Sequence, residues 1–114
     1  MDSPVWQATL AEGFARRADV VGANCGDLDP YQMARVVSAL HSATSVPVVA
    51  QPNAGKPRLD GDRTVFDMGP AEFAGGIREC LRAGARLVGG CCGTSPDHTR
   101  AVGEILGESR LPDR

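Results

Sequence analysis

Arg86–Pro96 reads RLVGGCCGTSP, and the order of residue types along it is that of one strand-to-helix junction. The apolar run Arg86–Gly89 has the length of a buried strand. Gly89, Gly90 and Gly93 then free the backbone from β geometry around the adjacent Cys91 and Cys92. Ser95 with Pro96 behind it starts a helix, since serine caps the exposed N–H groups and proline suits the first turn. Val102, Ile105 and Leu106 form the predicted inner face of that helix.

The same alternation extends upstream. Pro70 opens a helix in which Phe73, Ile77 and Leu81 recur every four residues, with Gly84 as its stop. Val46–Ala50 (VPVVA) reads as a strand, and the helix before it is capped by Asp29, with Met33, Val36, Val37 and Leu40 on one buried face. Asp19–Asn24 (DVVGAN) is the first strand, and Thr9 with Glu12 makes a capping box for a helix through about Ala18. Gln51–Pro70, QPNAGKPRLDGDRTVFDMGP, is rich in Gly, Pro and Asp and reads as a long loop with a function of its own. The class is α/β, with apolar parallel strands that call for cover on both faces. An eight-stranded barrel takes about 250 residues. The 114 residues here therefore make either a piece of one or a small open sheet.

Composition narrows the function classes. With 42% apolar and 23% charged residues the chain is an ordinary globular one, and a net charge of −2 with scattered Lys and Arg gives no footprint for nucleic acid or an anionic membrane. No apolar run approaches the roughly 20 residues of a membrane span, and the N-terminus lacks a signal-peptide pattern, so the expected location is the cytoplasm. In that setting cysteines point to metal binding or catalysis before disulfides.

Reacting groups of parallel α/β folds gather at the carboxyl ends of strands, and Cys25, Asn53 and the Cys91–Cys92 pair each follow a predicted strand. Three thiols on one rim match a catalytic zinc site, in which three protein ligands leave the fourth position open. Other readings stand beside this one. A strand-end cysteine is often a small buried hydrophobe, and adjacent cysteines can form a vicinal disulfide used as a redox switch. Cys80 shares a helix face with Ile77 and Leu81 and is expected to pack in the core. His98 falls at the third position of the helix capped by Ser95, where its side chain should run along the helix surface, so it is not assigned as a ligand. His41 is expected to be a solvated helix-end residue, and Asp60, Asp62 and Asp67 lack the spacing of a calcium loop. GGCCGT has no dinucleotide or P-loop pattern around it.

GANCG at Gly22–Gly26, PNAG at Pro52–Gly55 and GGCCGTSPDH at Gly89–His98 resemble the homocysteine S-methyltransferase family. That family includes the homocysteine-binding module of cobalamin-dependent methionine synthase and betaine-homocysteine methyltransferase. The resemblance implies a zinc-bearing TIM (β/α)8 barrel, and runs from about Leu10 to Leu106. It covers only the last three strands, so that residues 1–114 would be the C-terminal part of an incomplete barrel domain. It further implies Cys25, Cys91 and Cys92 as the metal ligands. Asn24 and Asn53, beside the metal site and on the neighbouring rim, would be either polar contacts to homocysteine or partners of the loop backbone alone. Methyl transfer would use methylcobalamin, betaine or S-methylmethionine as donor, and the chain would be either a truncated reading frame or one half of a split barrel completed by another chain. A non-catalytic zinc-binding or assembly module and a vicinal-dithiol redox protein are the competing functions.

Overall fold

A computed structural model describes residues 18–26 and 28–108. The elements, in order, are β1 (Val21–Asn24), α1 (Pro30–Ala43), β2 (Val48–Gln51), β3 (Pro57–Asp60), β4 (Arg63–Phe66), α2 (Pro70–Ala83), β5 (Ala85–Val88) and α3 (Pro96–Glu108). The helix expected from Thr9 to about Ala18 lies outside the described residues, except for Ala18 itself, which packs against the core.

β1, β2 and β5 form one parallel sheet in that order, so strands that follow one another through a helix are also neighbours in space. α1 begins at a complete capping box: the Gln32 N–H donates to Asp29 Oδ1 at 2.9 Å, and the Asp29 N–H donates to Gln32 Oε1 at 3.1 Å. Its buried stripe, Met33, Val36, Val37 and Leu40, packs with Val21, Val48, Ala50, Cys80 and Ala85. A second cluster joins Phe73 and Ile77 of α2 to Val102 of α3, with Ala54 and Met68 from the segment between β2 and α2. Both clusters lie on the sheet face of Val21, Val48, Ala50, Ala85 and Val88. On the opposite face Gly22, Val49 and Leu87 stand in one register row, and Leu87 is 49% exposed. That face, expected to need cover, has none among the described residues.

Three expectations are corrected. Gln51–Pro70 is not all loop: β3 and β4 pair antiparallel across the two-residue turn Gly61–Asp62, with Gly61 at φ 69°. Glycine at the first turn position is what such a hairpin requires, but the strands are polar and exposed, so no apolar alternation announces them. Leu106 is 43% exposed, and only Val102 and Ile105 of the expected α3 stripe are buried. His98 does not run along the helix surface but is 8% exposed, drawn inward by partners for both ring nitrogens.

Candidate metal centre

The three sheet strands all end on one rim, and the backbone there is shaped by unusual local geometry. Directly after β1, Cys25 takes the left-handed conformation with φ 54°, followed by Gly26 at φ 64°. Such a conformation in a residue with a Cβ costs on the order of 1–3 kcal/mol and persists where its surroundings enforce it. Here the Cys25 N–H donates to the Gln51 carbonyl at 3.2 Å and the Cys25 carbonyl accepts from Leu28 N–H at 3.2 Å, fixing both sides of the residue.

After β5 the chain runs on beside the segment after β2 as far as Cys91 and departs from β geometry at Cys92, which lets both Cys91 and Cys92 serve one side. The Cys91 N–H donates to the Pro52 carbonyl at 3.0 Å, the Cys92 N–H to Asn53 Oδ1 at 3.1 Å, and the Cys92 carbonyl accepts from Ala54 N–H at 2.9 Å. Thr94 closes the turn, its hydroxyl donating to the Cys91 carbonyl at 2.7 Å. Gly93 follows at φ 82°, and a Cβ there would overlap the Phe66 ring, so β4 lies directly on the cysteine turn.

The Sγ atoms of Cys25, Cys91 and Cys92 lie within 4.8 Å of one another, and those of Cys25 and Cys92 are 3.6 Å apart. Two thiolates at about 2.3 Å from one tetrahedral ion would be separated by about 3.8 Å, so the trio has the dimensions of a metal site. All are free thiols; Cys25 and Cys91 are half-buried and Cys92 is exposed. The soft donor set suits zinc. Asn24 Nδ2 reaches Cys91 Sγ at 3.7 Å, and this donation holds the Cys91 thiol below its ordinary pKa. Cys92 moves the other way, to about 11, because its S–H is bonded to Cys25 and Cys91 and a second thiolate among them would be repelled. A further thiolate is thus opposed at Cys92, and a bound cation would reverse that.

Asn24 is exposed at this rim, whereas Asn53 is 2% exposed beneath it. His98 stays out of the cluster: its Nδ1 accepts the Ser95 N–H at 3.2 Å and lies 2.8 Å from the Ser95 hydroxyl, while Nε2 lies 2.8 Å from the Met68 carbonyl. Since a carbonyl only accepts, Nε2 carries the proton, and both nitrogens are used. Its ring also meets Phe73 edge-on at a centroid distance of 5.4 Å. Cys80 is fully buried with Sγ 3.2 Å from the Pro30 carbonyl, and burial, with help from Glu79 and Asp29, pushes its thiol up to about 12. Asp67 pairs loosely with Arg58 at 3.9 Å, and Asp60 and Asp62 sit exposed at the hairpin tip. The sequence reading missed Phe66 as a neighbour of the cysteine turn. The glycine at position 93 was the available sign that something lies against it.

Homocysteine S-methyltransferase 4 of Zea mays is 31% identical over 114 residues, which takes in 96% of this chain and 33% of the maize protein. Homocysteine S-methyltransferase 3 of the same plant is 30% identical, with 94% of this chain and 32% of that protein aligned. Methionine synthase of Mycobacterium leprae (strain TN) is 38% identical over 96 residues, or 83% of this chain and 8% of the mycobacterial protein. The chain thus spans about a third of the length of the maize relatives. Matched by the family described as homocysteine S-methyltransferase over residues 3–106, the chain belongs to that family.

Proposed function

We propose that this chain is the metal-bearing C-terminal part of a zinc-dependent homocysteine S-methyltransferase, in which Cys25, Cys91 and Cys92 hold the zinc and homocysteine is methylated to methionine. The observation that carries the reading is the convergence of three free thiols from two distant strand ends within 4.8 Å. Zinc bound there would keep the substrate thiol deprotonated, and so nucleophilic, at neutral pH.

The chain's own residues supply the rest. Three thiolates leave one tetrahedral position free for the substrate, and the exposure of Cys92 leaves the rim accessible. Asn24, exposed beside Cys91, is the polar contact assigned to homocysteine. The new sulfur–carbon bond forms as the bond from methyl to its donor breaks, the donor leaving with the electron pair. Methylcobalamin, betaine and S-methylmethionine are the candidate donors.

The reading also takes the chain as the last three β/α units of a (β/α)8 barrel. Parallel strands in chain order, helices gathered on one sheet face and a length about a third of the maize relatives' support it. The remaining strands would come from another chain or a longer form of this one, and with them the groups that hold the amino-acid end of homocysteine. Positioning of a substrate is worth about 7–11 kcal/mol of barrier, so the piece alone should be inactive. The test is an assay with homocysteine and each donor, using the zinc-loaded chain alone and mixed with a segment carrying the first five strands of a related barrel. Turnover only in the mixture is expected. Robust turnover by the 114-residue chain alone would overturn the incomplete-barrel reading.

A further inference from the structure

Adjacent residues of a strand send their side chains to opposite faces, yet Cys91 and Cys92 bring both sulfurs to Cys25. The hydrogen bonds around them show what bends the chain. The β2–β5 ladder runs on past the sheet through Gly89 N–H to the Ala50 carbonyl at 3.0 Å and Cys91 N–H to the Pro52 carbonyl at 3.0 Å. In a regular parallel ladder the next N–H, that of Cys92, points away from the neighbouring strand. Here it turns back to the same neighbour and is met by a side-chain oxygen, Asn53 Oδ1, at 3.1 Å. The Cys92 carbonyl returns to the same segment through Ala54 N–H at 2.9 Å, and Asn53 N–H is tied to the Leu28 carbonyl at 3.1 Å in the loop after Cys25.

We propose that Asn53 is a positioning residue of the metal centre: its carboxamide oxygen holds the Cys92 peptide in the curled conformation that aims Cys92 Sγ at Cys25. This rests on the metal-site reading. Asn53 is 2% exposed and bridges the two cysteine-bearing loops, so it acts on the ligands from beneath and not on homocysteine. A neutral acceptor suits the place, because a carboxylate would be buried close to three groups that become thiolates. Removing a partner that orients a ligand typically weakens metal binding about 10–100-fold.

The full 114-residue chain serves for the test. In the metal-free protein, amide exchange read by NMR should find the Cys92 N–H protected; rapid exchange there would overturn the proposal without touching the metal reading. With Co²⁺ as the probe, Asn53→Leu, which keeps the volume and removes the acceptor, should bind about 10–100-fold more weakly and lose about a third of the sulfur-to-cobalt charge-transfer intensity. Asn53→Asp, which keeps an acceptor, should keep the Cys92 protection. Combining Asn53→Leu with Cys92→Ala should add little to the loss from Cys92→Ala alone, since both act through one ligand. Wild-type cobalt intensity in Asn53→Leu, or additive losses in the pair, would contradict the proposal. Absence of any cobalt–thiolate band in the wild type would instead defeat the metal reading itself.

Discussion

Cys25 Sγ and Cys92 Sγ lie 3.6 Å apart although 67 positions of sequence separate them. Two strand ends in a parallel sheet bring them together, with β2 lying between β1 and β5. The intervening Pro52–Ala54 segment bonds to the cysteine turn through Cys91 N–H, Cys92 N–H and the Cys92 carbonyl. The site is therefore a property of the folded sheet, and its chemistry should respond to changes in the sheet's ends.

Single substitutions should separate ligands from packing. Cys25→Ala, Cys91→Ala and Cys92→Ala should each abolish high-affinity zinc binding, because each removes one of the clustered thiols. Cys80→Ala should leave binding intact and cost about 2 kcal/mol or less, as only a buried sulfur is lost. Chelator competition and denaturant unfolding measure the two effects, and weakened zinc binding in Cys80→Ala would refute the division.

Alkaline stability should report on Cys80. Its thiol titrates at about 12 in the folded chain against 9.0 for an ordinary cysteine. Below pH 9 both states hold the proton; between about 9 and 12 the unfolded state releases it while the folded state keeps it. Stability therefore falls as pH rises through that window, by at most about 1.4 kcal/mol per pH unit from this group. Urea unfolding at a series of pH values should show a shallower decline in Cys80→Ala than in the wild type, and parallel curves would contradict the assignment.

Gly93→Ala should destabilise the cysteine turn for two reasons, its φ of 82° and the overlap of a new Cβ with the Phe66 ring. A loss of about 1–3 kcal/mol is expected, and Phe66→Ala in the same chain should recover part of it. Thermal unfolding of the single and double variants reads both effects; an unchanged midpoint in Gly93→Ala would show that the turn tolerates a side chain.

Much of this was legible in the sequence because it rests on local signals. Asp29–Pro30 and the stripe from Met33 to Leu40 specify α1 unaided, and the glycines around Cys91 and Cys92 announce a departure from β geometry that the turn does make. The hairpin was hidden because Pro57–Asp60 is exposed throughout and has no buried face to impose a period of two, leaving Asp60–Gly61 as the lone cue. His98 was misplaced for a different reason. Helix position fixes where a side chain starts, but the Met68 carbonyl and the Phe73 ring, 30 and 25 positions away, decide where it goes. The role of Asn53 depends on the register between β2 and β5, which appears only once the strands are paired.

X-ray absorption of the zinc-loaded chain tests the central claim most directly. Cys25, Cys91 and Cys92 predict about three sulfur neighbours near 2.3 Å with one lighter ligand. A first shell containing nitrogen from His98 or fewer than three sulfurs would contradict it.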